Sequence, residues 1–87
     1  MDRELARLRK RLDAVDRQLL RLFEARLALV REVFAYKAGA GLPRRMKERE
    51  RELLDRLVAQ GDGTLTEKAI RGLFRKILGE LRREAET

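Results

Sequence analysis

Cysteine and histidine are both absent from this 87-residue sequence. Their absence excludes disulfides, thiolate nucleophiles, imidazole general bases and nearly every zinc or haem site. Catalysis in such a chain has to run on arginine, lysine, carboxylates, hydroxyls and backbone dipoles, and neither a metal nor a cofactor is expected. Tryptophan is missing too, aromatics make up 5% of the residues, and there is a single proline. No apolar run approaches the ~20 residues needed to span a bilayer. The first residues, Met1-Asp2-Arg3-Glu4, are charged and lead into no apolar signal segment, so a cytoplasmic protein is expected.

What the chain does have is charge. Charged residues are 43% and hydrophobic ones 44%, with 22 Lys+Arg against 15 Asp+Glu for a net +7. An excess of cation points to an anionic partner: nucleic acid, an acidic membrane surface or a small polyanion. The length suits one domain, residues 1–87, whose small core would gain from a partner subunit.

Apolar residues recur in steps of three and four at Leu5, Leu8, Leu12, Val15, Leu19, Leu22, Leu29 and Val33, with Arg26 in the slot between Leu22 and Leu29. This is the seam of a long helix. Leu20, Phe23, Leu27 and Val30 widen the stripe, so more than one neighbour must cover it. The pattern ends at Gly39-Ala40-Gly41, predicting a helix over roughly residues 3–38, about 50 Å long. A compact chain of this size has a radius of gyration of only ~12 Å. The helix outgrows the globule, and a second chain lying along it is the simplest remedy.

Pro43 suits the start of a second helix, with Met46, Leu53, Leu54, Leu57 and Val58 on its apolar face through about Gln60. Gly61-Asp62-Gly63 breaks it. Thr64-Leu65-Thr66-Glu67 has the form of a capping box, and Ala69, Ile70, Leu73, Phe74, Ile77, Leu78, Leu81 and Ala85 form one face of a third helix. The expected fold is all-α: one long, one short and one medium helix.

Four cases, covering five charged residues, resist the reading of a simple solvated face: Arg26, Lys37, the pair Arg49-Glu50, and Arg9. Arg26 either meets an anion, forms an interhelical ion pair, or snorkels outward. Lys37 lies eleven residues on, within about 20° of the same face and ~16 Å along the axis, with Val30 and Val33 between. Two long cations would bracket an apolar floor suited to a compact anion; equally, Lys37 could be a favourable cation at a helix C-terminus. Arg49 and Glu50 precede Leu53 and Leu54 by four residues each, as an internal pair or as an anion-binding arginine beside a hydrogen-bonding carboxylate. Arg9, seventeen residues before Arg26, is about 25 Å away; it is either an ordinary exposed arginine or one that reaches such a pocket in a partner chain.

Taken in order, these residues resemble the bacterial all-helical chorismate mutases of the intertwined-dimer class. The resemblance rests on Leu8-Arg9, Leu12-Asp13-Ala14-Val15-Asp16, Gln18 to Leu22, Glu24-Ala25-Arg26, Val33 to Lys37, a Pro43 loop, Arg49 to Leu54, and Phe74 to Leu78. It implies an intertwined homodimer and an isomerase of aromatic amino-acid biosynthesis that rearranges chorismate to prephenate without nucleophile, metal or cofactor. By the same resemblance, Arg26 binds one substrate carboxylate and Arg9 of the other subunit binds the second region of negative charge. Arg49 assists, Lys37 donates to the ether oxygen, Glu50 bonds the substrate hydroxyl, and Val33, Leu81 and Ala85 complete the substrate contacts.

Three positions depart from the family pattern. Met46 stands where an aspartate is frequent, Leu81 where a small polar residue is usual, and Ala85 where a glutamine or glutamate gives the second hydrogen bond to the ether oxygen. Losing one such donor typically costs about 10²–10³ in rate, so reduced activity is expected. Alternatives within the fold are an isochorismate-pyruvate lyase and a regulatory or partner-activated module working with another aromatic-pathway enzyme. A basic helical module binding nucleic acid is the alternative outside it, disfavoured because the cations in question lie on apolar faces.

Overall fold

The computed structural model describes residues 2–44 and 47–87. Three helices account for most of them: α1 (Arg3–Ala40), α2 (Lys47–Gln60) and α3 (Glu67–Ala85). No strand occurs among the described residues, and no helix there is long and apolar enough to cross a membrane.

Helix α1 begins where the Asp2 side chain accepts from the Leu5 N–H at 3.0 Å. It runs 38 residues, two further than the sequence pattern indicated, passing through Gly39 and stopping at Gly41 with φ 71°. The stop is a Schellman arrangement: Leu42 N–H bonds Lys37 O at 2.8 Å and Gly41 N–H bonds Ala38 O at 3.4 Å. An L side chain is strained at that φ, so the turn that reverses the chain just beyond Lys37 depends on glycine.

The start of α2 differs from expectation. Pro43 does not open the helix; it lies in the connection after α1, and α2 is helical from Lys47. Met46, expected on the apolar face of α2, lies outside the described residues. The cap of α3 also shifts by two residues. Thr64 is not the cap; it lies in a tight turn before the helix, where its N–H donates to Asp62 Oδ1 at 2.9 Å. Thr66 caps instead, its hydroxyl accepting from Ala69 N–H at 3.1 Å. With alanine three residues on, there is no reciprocal carboxylate, so no capping box forms.

Helices α2 and α3 make an antiparallel hairpin, tied near its turn by Arg71 to Asp55 at 2.9 Å and farther out by Arg82 to Glu50 at 2.6 Å. Leu54 and Ile70 form its core and are the two buried residues among those described, 6% and 8% exposed. Gly61, which ends α2, lets Ile70 close in: a Cβ there would stand 3.1 Å from Ile70 Cδ1. The α3 helix packs on both other helices. Along the C-terminal half of α1, Phe23, Arg26, Leu27, Val30, Phe34 and Lys37 are half-buried.

The other α1 stripe has no cover in this chain. From Arg3 to Leu22 only Ala14 is even half-buried, and Leu12, Leu22 and Leu29 are 61%, 64% and 60% exposed. Leu73 of α3, expected inside, is likewise 53% exposed, lying on a part of α3 that neither neighbouring helix covers. The radius of gyration is 16.7 Å and the long axis 59 Å, against ~12 Å for the radius of a compact chain of this length. About 30 Å of α1 therefore projects as an unsupported arm.

Candidate active site

A concavity of about 340 Å³ opens between the C-terminal half of α1, the start of α2 and the end of α3. Its floor is apolar, formed by Leu29, Val30, Val33, Leu53 and Leu78, and its charged lining is Arg26, Lys37, Arg44, Arg49, Arg82 and Glu50. Five cations thus face one carboxylate over a hydrocarbon floor.

Each charge is placed by an identifiable local cause. Arg26 is carried inward by the helical period, since its slot belongs to both α1 stripes. Burial pushes its pKa below the usual guanidinium value, and the positive charge of Arg49 pushes it the same way. Both causes disfavour the bound proton, and a bound anion would reverse the second. Among the described residues no carboxylate pairs with Arg26.

Lys37 lies within the last turn and a half of α1, and the turn at Gly41 brings the following segment back over it. Its Nζ donates to the Arg44 carbonyl at 3.0 Å, which aims the ammonium while leaving two of its three N–H groups for a ligand. The Arg44 guanidinium in turn lies over the Phe34 ring, 5.1 Å from the centroid. Two contacts therefore pin the connection to α1 and form the rim.

From α2 come Arg49, exposed at the mouth, and Glu50, half-buried. Glu50 Oε1 accepts from Arg82 Nη1 at 2.6 Å, with side chains 28% and 24% exposed respectively. This charge-assisted bond fixes the carboxylate against the α3 wall.

Of the residues singled out by sequence, Arg26, Val33, Lys37, Arg49 and Glu50 line this one cavity. Leu81 and Ala85 are half-buried but are not among its lining residues. Arg9 is exposed on the projecting arm and is not at the cavity of its own chain. Sequence reasoning did not single out Arg82, Arg44 or Phe34. A signal for Arg82 exists: it follows Leu78 by four residues, a charge in an apolar series, as with Arg26. No group of three or more acidic residues able to hold a metal ion occurs among the described residues.

A family model described as chorismate mutase type II matches residues 8–86. The bifunctional chorismate mutase/prephenate dehydratase of Aquifex aeolicus is 32% identical over 79 residues, covering 86% of this chain and 22% of that protein. The chorismate mutase of Methanocaldococcus jannaschii is 35% identical over 57 residues, covering 66% of this chain and 58% of that protein. The chain thus spans less than two thirds of the length of either curated relative. Among solved structures, form II of chorismate mutase from Thermus thermophilus superposes with a TM-score of 0.90 at 35% identity, over 95% of this chain and 94% of that one. Form I gives 0.87 at 36% identity, over 90% and 98%. Together with the all-helical fold and the cation-lined cavity, a match over nearly the whole length shows that the chain belongs to the chorismate mutase type II family.

Proposed function

We propose that this chain is a chorismate mutase, an isomerase that rearranges chorismate to prephenate in aromatic amino-acid biosynthesis, acting in the cytoplasm as a single-domain subunit. The observation that carries the reading is the convergence of Arg26 and Lys37 from α1 with Arg49 and Glu50 from α2 on one apolar-floored cavity. Its volume of about 340 Å³ suits a small organic dianion.

The reaction breaks the substrate's ether C–O bond and forms a C–C bond within one molecule, so no proton or group passes to the protein. What the site must do is hold the dicarboxylate in its compact chair-like conformer and stabilise negative charge on the ether oxygen. Arg26, assisted by Arg49, binds one carboxylate; its surroundings favour an anion because burial and Arg49 both disfavour its uncompensated charge. Lys37, aimed by the Arg44 carbonyl, donates to the ether oxygen. Glu50 accepts from the substrate hydroxyl, and Val33 belongs to the apolar floor against the ring.

The functional unit is an intertwined homodimer. The uncovered α1 stripe supports this, since Leu5, Leu8, Leu12, Val15, Leu19 and Leu22 are all at least 40% exposed in the single chain. In the dimer the projecting arm brings Arg9 to the partner's cavity, where it meets the second region of negative charge. The bifunctional Aquifex relative supports co-operation with a further aromatic-pathway enzyme.

The test is the loss of chorismate's diene absorbance on adding the purified chain, with prephenate identified as product. Turnover that Arg26→Ala abolishes supports the reading. No turnover above buffer at high chain concentration overturns it, and release of pyruvate from isochorismate in place of mutase turnover assigns the lyase.

A further inference from the structure

The α3 wall of the cavity carries one charge, Arg82, and its setting calls for an explanation. The residue follows Leu78 by four positions and precedes Ala85 by three, so the three share a face of α3. It shares the cavity lining with Leu29, Val30, Val33, Leu53 and Leu78. A guanidinium beside such a floor is unfavourable unless it meets an anion. Pairing with Glu50 meets part of that need, yet a half-buried ion pair gains little over apolar packing of the same volume. The pair alone does not account for a cation at this place.

The guanidinium also has capacity to spare. It presents five N–H donors in a planar fork, and the bond to Glu50 is made from Nη1. Lys37 enters the same cavity from α1, so the two cations come from different walls. Ala85, one turn farther along α3, offers only a methyl group.

We infer that Arg82 is a substrate-contacting residue that supplies, from the α3 wall, the second hydrogen bond to the ether oxygen that position 85 does not provide. Glu50 holds Nη1, offsets the charge and orients the fork; the remaining N–H groups donate to the oxygen as its bond to carbon breaks. Arg82 gives a hydrogen bond and no proton, as the internal rearrangement requires. The inference rests on the mutase reading above.

Kinetics of chorismate loss on the purified chain test it, with circular dichroism and sedimentation confirming that each variant is folded and associated. Arg82→Met, which keeps the length of the stem, should lower kcat by about 10²–10³ with KM changed only a few-fold. Arg82→Gln, which retains a neutral donor, should fall between. Adding Ala85→Gln to Arg82→Met should restore about tenfold or more, because a donor returns to the same face.

A role only through Glu50 predicts something different. In a Glu50→Gln background, Arg82→Met should still cost about tenfold or more if Arg82 touches substrate, and nothing further if it merely positions Glu50. The inference is overturned if the second substitution adds nothing, or if Arg82→Met stays within about threefold of an active parent. If Arg82→Met does not fold, the same comparison with Arg82→Gln decides. An inactive parent chain overturns the mutase reading and this inference together.

Discussion

Replacing Leu12 by alanine isolates the contribution of the uncovered α1 stripe. Leu12 is 61% exposed in the single chain, lies on the projecting arm, and is not among the residues that line the cavity. Full burial of a leucine is worth about 1.5–3 kcal/mol, so covering the exposed part gives roughly 1–2 kcal/mol for each copy. A two-fold interface contains the residue twice, giving about 2–4 kcal/mol per dimer. The dimer dissociation constant should therefore rise roughly 30- to 1,000-fold. Sedimentation equilibrium over a dilution series measures this directly, and activity should fall along the same curve under the proposed donation of Arg9 from a partner. Leu65→Ala is the control: Leu65 is 52% exposed but lies in the α2–α3 connection, and its loss should leave association unchanged. An unaltered dissociation constant for Leu12→Ala, or full activity at dilutions where the protein sediments as a single chain, refutes the reasoning.

Lys37→Met removes the ammonium aimed by the Arg44 carbonyl and should lower kcat about 10²–10³-fold, with far less change in KM. Arg9→Ala and Arg26→Ala should each be inactive, yet mixed subunits should recover about a quarter of parental activity, since half the dimers would hold one intact site; no recovery after subunit exchange argues against donation across the interface. Gly41→Ala forces an L residue to φ 71° at a cost of about 1–2 kcal/mol, read as a fall of at least roughly 4 °C in the unfolding midpoint. Acid should destabilise the fold. Glu4 beside Arg7, Asp62 bonded by Thr64, and Glu80 between Lys76 and Arg83 all titrate below their ordinary values. Their contribution is complete above the unfolded-state pKa values and is lost as pH falls through the lower folded ones, so the midpoint should drop below about pH 4. A midpoint that rises there contradicts the assignment.

The helices were legible because their apolar residues follow the helical period closely enough to fix both existence and face. Local competition decided what was not legible. Pro43 is compatible with a first helical turn, but the Schellman turn at Gly41 and the grip of Lys37 and Phe34 on Arg44 keep the segment after α1 outside the helix. Thr64 and Thr66 are equally plausible caps by type; in the structure Thr64 belongs to the turn closed by Asp62, and Thr66 stands at the helix start with its hydroxyl on Ala69 N–H. In the cavity, Arg26, Lys37 and Glu50 were conspicuous as charges in apolar series. Arg82 was hidden because it sits in the charged run Arg82-Arg83-Glu84, where one more arginine attracts no notice. Nothing within one chain could place Arg9 at the cavity, since a straight helix holds it about 25 Å from Arg26.

The unbroken run of α1 from Arg3 to Ala40 has a consequence for how this sequence can vary. Arg9, Arg26 and Lys37 are mounted on one rod, so their separations are dictated by residue count and not by loop closure. A single inserted residue between Arg9 and Arg26 would swing one end by about 100° and slide it 1.5 Å, while a whole heptad would preserve the facing but overshoot by ~10 Å. Under the proposed assignment of these three residues, helix α1 works as a gauge, more tolerant of substitution along its outer side than of any change in length.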